Sequence, residues 1–410
     1  MRQHANTDPP SERLELFLVA AEESGDQLGA ALMRALRKCA KQPVDFSGVG
    51  GREMSREGIA SLYPIDDLPL IGFTAIPRRL PRILRLMRFT ARAIVARPPQ
   101  GLIIIDSPGF TRGIARRVRL ADPNIPIVEY VSPSVWAWRP GRARVLRGYI
   151  DHILALLPFE PEVHRRLGGP ACSYVGHPLT EAVAHLRPNS AEASRRAASP
   201  PVLLMLPGSR MGEIRRLFHV FALAVLNVRD RIGEIEIVIP TLPHLADEIR
   251  SASQRCNIAP RIIVDPAEKQ AAFRIARAAL AKSGTVTLEL ALAGVPMVTA
   301  YKVSQLEYLV GKVLLRRLSS IILTNILLSE NVVPELIQHQ CTPDKLADML
   351  VPLFRDTSQR RGQIEAFSRL DKILEIPCGA SPAMRAAKVV LDVLAQRAQK
   401  VRQHRAQENR

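Results

Sequence analysis

The sequence predicts an α/β protein built from doubly wound parallel sheets, and three observations support this fold class. Short β-branched runs alternate with amphipathic stretches of helical period along the chain. The run Leu102–Ile105 is apolar throughout, as expected of a parallel strand covered on both faces. The alternation stops near residue 187 and restarts at 202, which predicts two successive α/β domains.

Six strands are predicted in the first half: Leu14–Ala20, Val44–Gly48, Leu102–Asp106, Pro126–Val131, His152–Leu156 and Ser173–Val175. Helices are predicted between them, notably at Gly25–Cys39 and Arg78–Val95. The second half contains five predicted strands: Val202–Leu206, Ile235–Ile239, Arg261–Val264, Ala278–Ala281 and Pro296–Ala300. Helices are expected to fill the chain from about Val332 to Leu394.

The domain boundaries follow from these patterns. A first domain is predicted at 1–186 and a second at 202–375, joined by a linker at 187–201 that is rich in Ala, Ser, Arg and Pro and lacks apolar periodicity. A C-terminal helical segment with a basic tail occupies 376–410, and its return to the first domain is one alternative.

Composition limits the function classes. At 410 residues and 47% hydrophobic content the chain can form two cores, and it contains no apolar run of 18 residues and no signal-peptide pattern at its start, so a cytoplasmic protein is expected. Five dispersed cysteines indicate neither a disulfide framework nor a zinc site. The net charge of +18 predicts an anionic partner: nucleic acid, a phosphorylated substrate or an acidic lipid surface.

Polar residues follow two strands of the first domain. Asp106 ends the apolar run at 102–105, and ligands of open α/β sheets bind at the carboxyl ends of strands. The first strand leads into a loop with Glu22, Ser24, Gly25 and Asp26. Alternatively, Ser24 or Asp26 simply caps the following helix.

Two loops of the second domain have the composition of phosphate sites. The stretch "LPGSRMGEIRR" places Ser209, Arg210 and Glu213 between a strand and a helix, although an ordinary turn has the same composition. The stretch "KSGTVTLEL" places a small polar turn at 283–285 before a helix with Glu289, whose carboxylate suits ribose hydroxyls or a surface ion pair. The members of this turn are Ser283, Gly284 and Thr285.

Both tryptophans of the chain stand in the stretch "YVSPSVWAWRPGR". Two interpretations are open for this loop. Trp136 and Arg139 could line a sugar or anion pocket, or the aromatic rings could belong to the core.

A basic segment lies at about 66–96, with seven arginines between Ile76 and Pro99 and no acidic residue there. An apolar stripe beside a basic face predicts contact with an anionic membrane, and a core-facing helix with a solvated basic side is the alternative. The residues expected at the membrane are Leu70, Ile71, Phe73, Ile76, Arg78, Arg79, Leu80, Arg82, Ile83 and Arg85.

Nine short motifs, in order and over almost the full length, resemble the lipid-A-disaccharide synthase family. They are "AAEESGD", "GVGGREM", "IDSPGF", "YVSPSVWAWRPGR", "LLPFE", "YVGHPL", "LPGSRMGEI", "SGTVTLELALAGVPMVTAYK" and "TNILLSENVVPELIQ". The resemblance implies a GT-B glycosyltransferase with two Rossmann-like lobes facing across a cleft. It also implies inverting transfer of 2,3-diacylglucosamine from UDP to 2,3-diacylglucosamine 1-phosphate, giving a β-1,6-linked disaccharide, with no metal or other cofactor.

Carried over residue by residue, the resemblance makes Asp106 the general base that takes the proton of the acceptor's 6-hydroxyl. Arg210 and the turn at 283–285 match the donor diphosphate site, and Glu289 and Asn325 match positions at the uridine or ribose. Glu22, Ser24 and Asp26 match the acceptor side. The implied location is the inner face of the inner membrane, without nucleic acid, while the oligomeric state stays open, a homodimer included.

The sequence departs from the family pattern at Ala21, Thr111 and Thr324, where Gly, Asn and Pro are usual. Thr111 matters most because it lies near the predicted base. Two rival functions fit part of the sequence. One is that of another GT-B enzyme, such as a UDP-N-acetylglucosamine epimerase or the muramyl-pathway transferase, and the other is that of a non-catalytic protein that binds membrane or nucleic acid.

Overall fold

The computed structural model describes residues 13–65, 76–304, 308, 320–376 and 379–408, apart from the side chains of 76–79, 401, 402 and 404–408. The chain divides into two compact units. The first contains Met1–Pro178 and Ile376–Arg410, and the second contains Leu179–Glu375. Each unit is organised around its own parallel sheet.

The sheet of the first unit has six parallel strands in the order β2-β1-β3-β4-β5-β6. Their bounds are β1 Leu14–Ala20, β2 Val44–Val49, β3 Gly101–Ile105, β4 Ile127–Tyr130, β5 His152–Ala155 and β6 Ala171–Tyr174. Every residue of β3 and β4 is buried, because helices cover both faces of the sheet. Since β1, β3 and β4 are neighbours, the loops that follow them lie side by side at one edge.

The helices of the first unit connect these strands. They are α1 Glu23–Cys39, α2 Arg52–Arg56, α3 Ile76–Ala96, α4 Pro108–Ala121, α5 Arg142–Leu146 and α6 Glu160–Leu167. The last helix of the chain, Pro382–Glu408, also belongs to this unit and packs against α1. Its residues Ala386, Ala387, Val390 and Leu394 join the core formed by β1, β3 and α1.

The second sheet is also parallel and six-stranded, in the order β12-β11-β10-β7-β8-β9. Its strands are β7 Val202–Leu206, β8 Glu236–Pro240, β9 Arg261–Ile263, β10 Ala278–Lys282, β11 Met297–Tyr301 and β12 Glu335–Ile337. Leu206 pairs with Ala281, so the loops that leave β7 and β10 are neighbours. Thus the fold class predicted from the sequence is confirmed: two doubly wound parallel sheets.

The helices of the second unit are α7 Leu179–Leu186, α8 Ser190–Ala197, α9 Met211–Ile232, α10 Ala246–Arg255, α11 Pro266–Ile275, α12 Val286–Leu292, α13 Leu323–Leu328, α14 Pro343–Phe354, α15 Ser358–Ser368 and α16 Leu370–Ile373. The C-terminal helix Pro382–Glu408 is therefore α17. Short 3-10 helices lie at Pro243–Leu245 and Gln338–Gln340. A hydrophobic core of this unit lies between β7, α9 and α14.

The structure differs from the sequence-based expectation at three places. Residues 179–186, predicted in the first domain, form α7 of the second unit. The segment 187–201 contains helix α8, which a capping box between Asn189 and Glu192 starts, and Arg196 of this helix donates to the main-chain oxygens of Phe273 and Ala293. It is thus part of the second unit and not a free linker. The helical expectation from Val332 onward was wrong at β12, which is too short to show a strand period.

Candidate active site

Asp106 follows β3 directly and begins the turn into α4. Its backbone and that of Ser107 are both left-handed, with φ of 50° and 45°. This is an unfavourable conformation for non-glycine residues and is found at functional sites. The side chain is half-buried, and Oδ1 accepts a hydrogen bond of 2.7 Å from the Ser107 N–H. Within the described part of the chain no hydrogen bond reaches Oδ2, so this oxygen is available to a ligand.

Thr111 lies one helical turn beyond Asp106 and is fully buried. Its hydroxyl donates 2.7 Å to the main-chain oxygen of Asp106 and contacts that of Ser107 at 3.2 Å. Thr111, which stands where Asn is usual in the family, therefore supports the strained turn at Asp106 and Ser107. The Ser107 hydroxyl is buried and has no hydrogen-bond partner among the described residues.

The start of α1 approaches the end of β3 through Gly25. A Cβ at Gly25 would lie 3.4 Å from the main-chain oxygen of Ile105, which is the distance of ordinary contact, so the start of the helix lies directly against the strand end. Glu22 is the N-cap residue but makes no side-chain cap, and Ser24 is exposed. Glu22 and Ser24 thus border the same sheet edge as Asp106, with their polar groups not engaged in capping.

Asp26 has a different role from the one predicted. Its carboxylate is 2% exposed and accepts three main-chain hydrogen bonds, from Gly51 at 2.7 Å, Glu53 at 2.8 Å and Met54 at 3.0 Å. Both oxygens therefore cap α2 and not the helix that carries Asp26. The expectation that Asp26 meets the acceptor is corrected, because its oxygens are occupied, and so is the alternative that it caps α1.

The loop after β4 carries the two tryptophans. Trp136 is half-buried, and its Nε1 donates 3.2 Å to Glu160 while its ring meets Phe159 edge-on at 5.3 Å. The Trp138 ring lies under two guanidinium groups, those of Arg139 at 4.9 Å and Arg142 at 4.5 Å. Trp136 therefore anchors the loop to the domain, and Trp138 presents two cations.

A buried polar network supports this loop, and the sequence did not reveal it. Glu160 is 3% exposed, its Oε2 accepts from the Leu157 N–H at 3.1 Å, and burial raises its pKa to about 7. His164 is fully buried with Nε2 3.0 Å from the Ser132 hydroxyl, and burial lowers its pKa to about 4. The network therefore contains an uncharged His164 imidazole and a Glu160 carboxyl group that becomes protonated as the pH falls below about 7.

Arg112 and Glu129 form a second buried pair beneath the same edge. The Arg112 Nε donates 2.6 Å to Glu129 Oε1, and Glu129 Oε2 has no partner among the described residues. Burial raises the pKa of Glu129, the charge of Asp106 raises it further, and Arg112 opposes both effects. The Asp106 carboxylate is therefore close enough to Glu129 to contribute to its pKa.

The second unit contains a cavity of about 260 Å³ at the carboxyl ends of β7, β8 and β10. Ser209, Gly284, Thr285 and Glu289, all predicted from the sequence, line it. Thr241, Lys269 and Lys282 also line it and were not predicted. The cavity therefore brings together the two loops that sequence alone had identified separately.

Charged side chains organise this cavity. Lys282 Nζ lies 3.1 Å from Glu213 Oε1 and 5.3 Å from the centre of the Tyr301 ring. Lys269 Nζ pairs with Glu289 Oε2 at 2.6 Å. The Thr241 hydroxyl is buried and has no partner among the described residues. The wall thus contains two ammonium groups, each paired with a carboxylate, and one buried hydroxyl without a described partner.

Glu213 also shapes the loop after β7. Its Oε2 accepts from the Ser209 N–H at 3.1 Å, and Gly208 has φ of 134°, where a Cβ would lie 2.5 Å from the same carboxylate. Only glycine fits that position. Arg210 is 3.9 Å from Glu213, its side chain is 60% exposed, and it does not line the cavity. Glu213 therefore holds the loop after β7 in place by accepting from the Ser209 N–H and pairing with Lys282. The sequence had not indicated these contacts.

Ser283 and Asn325 lie outside the cavity lining. The Ser283 hydroxyl is buried without a described partner. Asn325 is 2% exposed, and its amide forms two 2.9 Å hydrogen bonds with the N–H and oxygen of Val333. The expected contact of Asn325 with uridine or ribose is corrected, since its side chain binds main chain. Thr324, likewise buried, donates to the Thr287 oxygen at 3.2 Å.

Helix α3 carries the predicted membrane segment only in part. Leu70, Ile71 and Phe73 lie outside the described residues, as do the side chains of Ile76, Arg78 and Arg79. The stripe Ile83, Met87, Ala91 and Ile94 is buried in the core against α4, so the placement of Ile83 at a membrane was wrong. For this stripe the core-facing alternative holds.

The opposite side of α3 is exposed. Phe89 on this side is 51% exposed. Around it lie the exposed arginines Arg82, Arg85, Arg88 and Arg92. Leu80 is 44% exposed but lies three residues before Ile83, on the side of the buried stripe. Among the residues described, no helix has the length and apolar character needed to cross a bilayer, and no group of three potential metal ligands occurs.

The two parallel sheets, each with polar loops at its strand ends, define a protein of the GT-B class. Solved structures with this fold include UDP-GlcNAc 2-epimerase from Neisseria meningitidis bound to UDP-GlcNAc, at 12% identity and a TM-score of 0.56 over 94% of this chain and 100% of that one. MurG from Acinetobacter baumannii matches at 14% identity and a TM-score of 0.50 over 94% and 99%. These likenesses concern the fold alone.

Sequence relatives are much closer. The family model described as lipid-A-disaccharide synthetase matches residues 16–379. The lipid-A-disaccharide synthases of Rhodopseudomonas palustris strain HaA2 and Bradyrhizobium diazoefficiens are 55% and 53% identical, each over 92% of this chain and 96% of the relative. The chain belongs to the lipid-A-disaccharide synthase family. It is a glycosyltransferase of lipid A biosynthesis.

Proposed function

We propose that the enzyme moves 2,3-diacylglucosamine from UDP to the 6-hydroxyl of 2,3-diacylglucosamine 1-phosphate. In this scheme the second unit binds the UDP-sugar and the first unit binds the acceptor. The products are a β-1,6-linked disaccharide 1-phosphate and UDP.

The donor portion of the proposal is supported by the cavity of the second unit. Ser209, Gly284, Thr285 and Lys282 line one space of about 260 Å³. Main-chain N–H groups and a cation suit a diphosphate. Glu289, whose carboxylate is held by Lys269, suits the ribose hydroxyls.

In the acceptor half, Asp106 is the proposed general base. Its carboxylate takes the proton from the acceptor's 6-hydroxyl as that oxygen bonds to the anomeric carbon of the donor. The bond from the anomeric carbon to the diphosphate oxygen breaks at the same time, with inversion, and its electron pair leaves on UDP. A positioned base contributes about 10²- to 10⁴-fold to rate, and cations beside the diphosphate stabilise the charge it develops.

The observation that carries this proposal is the Asp106 turn itself. A half-buried carboxylate stands on two consecutive left-handed residues, with one oxygen tied to the backbone and the other without a described hydrogen bond. Such strain persists where the surrounding structure holds it for a function.

The test incubates the purified chain with both acylated sugars in detergent and measures UDP release and the disaccharide by mass spectrometry. Asp106→Asn keeps the size of the side chain but removes the base, so turnover should fall at least about 10²-fold while UDP still binds. Asp392→Asn, an exposed site on α17, is the matched control. Unchanged turnover in Asp106→Asn would reject the proposed base, and absence of product from the wild type would reject the proposed reaction.

We further propose that the exposed face of α3 rests on the anionic inner face of the inner membrane, from which the acylated substrates come. Support comes from Phe89, which is large and exposed, beside the exposed arginines Arg85, Arg88 and Arg92. The double variant Arg85→Glu with Arg88→Glu should lose sedimentation with vesicles that contain anionic phospholipid. The wild type should not sediment with zwitterionic vesicles, and equal sedimentation of the variant and the wild type would refute this contact.

A further inference from the structure

The side chain of Trp138 gathers two positive charges at the carboxyl edge of the first sheet. The guanidinium carbons of Arg139 and Arg142 lie 4.9 and 4.5 Å from the centre of its ring. Each cation is attracted to the indole, but the two repel one another. Burial and then the charge of Arg139 lower the pKa of Arg142, so the two cations interact, and a counter-charge would stabilise both.

The described residues supply no such counter-charge. Neither Arg139 nor Arg142 forms an ion pair with a carboxylate in the described part of the chain. The two buried carboxylates of this region are already engaged: Glu129 with Arg112 at 2.6 Å, and Glu160 with Trp136 at 3.2 Å and the Leu157 N–H. The guanidinium donors of Arg139 and Arg142 are therefore available to an external anion.

Two further features point the same way. Arg139 is a non-glycine residue in the left-handed region, with φ of 51°, and such strain is expected where a function requires it. Burial lowers the pKa of Arg142, and the charges of Arg139 and Arg112 lower it further. A bound anion would relieve this electrostatic cost.

We propose that Arg139 and Arg142, stacked on Trp138, bind the phosphate group of the acceptor sugar. This inference rests on the proposed function, and it assigns the acceptor phosphate to named residues. A guanidinium presents a planar fork of donors that matches two oxygens of a phosphate, and in the described part of the chain neither fork is paired with a carboxylate.

The position of the site agrees with this assignment. The loop follows β4, which is the immediate neighbour of β3 in the sheet, and Tyr130 pairs with Ile105, the residue before Asp106. A sugar whose hydroxyl approaches Asp106 would place its other substituents over the adjacent loop. The site therefore binds a phosphate on the acceptor rather than the diphosphate of the donor.

The test compares two acceptors, 2,3-diacylglucosamine with and without its 1-phosphate, for the wild type, Arg139→Gln, Arg142→Gln and the double variant. The wild type should prefer the phosphorylated acceptor in kcat/KM. Each single variant should reduce that preference about 10- to 100-fold, mainly through KM, because a charge-assisted hydrogen bond to the phosphate is lost. Activity on the dephosphorylated acceptor should stay within about 2-fold. Arg147→Gln, an exposed arginine just beyond α5, is the matched control.

Equal losses on both acceptors would overturn the inference, since they would indicate a structural role for the arginines. It would also be overturned if the variants kept the phosphate preference but lost binding to phosphatidylglycerol vesicles, because the anion would then be a lipid headgroup. If the wild type converts neither acceptor, the proposed function fails.

The site is then still testable by titrating the full-length wild type with glucosamine 1-phosphate and following its tryptophan fluorescence, since Trp138 is one of only two tryptophans in the chain. A saturable change in its fluorescence that Arg142→Gln abolishes supports the site, and no change refutes it.

Discussion

The Thr111 hydroxyl donates a 2.7 Å hydrogen bond to the main-chain oxygen of Asp106, joining the first turn of α4 to the residue proposed as the general base. A buried hydroxyl thus fixes the peptide of a left-handed residue. Thr111 bonds the main chain of Asp106 and not its carboxylate. It therefore positions the proposed base and takes no part in the proton transfer.

Thr111→Val should therefore reduce kcat at least about 10-fold, because the same shape without the donor lets the Asp106 turn shift. It should also reduce the free energy of unfolding by about 1–2 kcal/mol, since a buried acceptor loses its partner. Thr111→Ser, which keeps the hydroxyl, is the control and should keep most of the activity. Steady-state kinetics and denaturant unfolding of both variants measure these effects, and a valine variant with full kcat would contradict this role.

Lys282→Ala should weaken the binding of UDP about 10- to 100-fold, because the cavity loses a cation beside the expected diphosphate. Affinity for uridine, which has no phosphate, should change by less than about 2-fold. Isothermal titration with both ligands makes the comparison, and Lys345→Ala, exposed on α14 and outside the cavity, is the control. A parallel loss for uridine would show instead that the cavity itself had collapsed.

Glu160→Gln should flatten the pH dependence of stability. Burial raises the pKa of Glu160 from 4.5 to about 7 in the folded protein, so the folded state binds the proton more tightly than the unfolded state. Stability from this group is complete below about pH 4.5 and is lost as pH rises through about 7, and the shift corresponds to up to about 3 kcal/mol.

Thermal unfolding from pH 4.5 to 8 would measure this effect, because the wild type should lose more stability than the glutamine variant as pH rises. Glu162→Gln, an exposed site on the same helix, should follow the wild type. Parallel curves for all three proteins would contradict the raised pKa of Glu160 in the folded protein.

Asp26→Ala should destabilise the first unit by about 2–4 kcal/mol, because three main-chain N–H groups at the start of α2 lose their acceptor. Asp45→Ala removes an exposed carboxylate from the same unit and should change stability by less than about 1 kcal/mol. Denaturant unfolding followed by circular dichroism compares the two. If Asp26→Ala were as stable as the wild type, the capping role would be wrong.

The sequence predicted those parts of the molecule whose structure depends on residues close together in the chain. The apolar run of β3 and the carboxylate after it stand next to each other in the chain, so both the strand and the position of Asp106 could be read directly. The loops at Ser209 and at Gly284 could also be predicted from the sequence, because glycine and small hydroxyl residues between a strand and a helix are typical of phosphate-binding turns.

The parts that were missed depend on contacts between distant segments. His164 meets Ser132 across 32 positions, and Asp26 reaches Met54 across 28. The motif around Asn325 matched a family pattern, but its pairing with Val333 is a property of the folded loop. In α3, the period identified an apolar stripe correctly, yet only the packing against α4 decides that Ile83 faces the core.

The return of α17 to α1 has a consequence for how the chain is made. The hydrophobic interior around β1 is completed by Ala387, Val390 and Leu394, which are synthesised only after the entire second unit. During translation the nascent first unit therefore keeps one flank uncovered until α17 has left the ribosome.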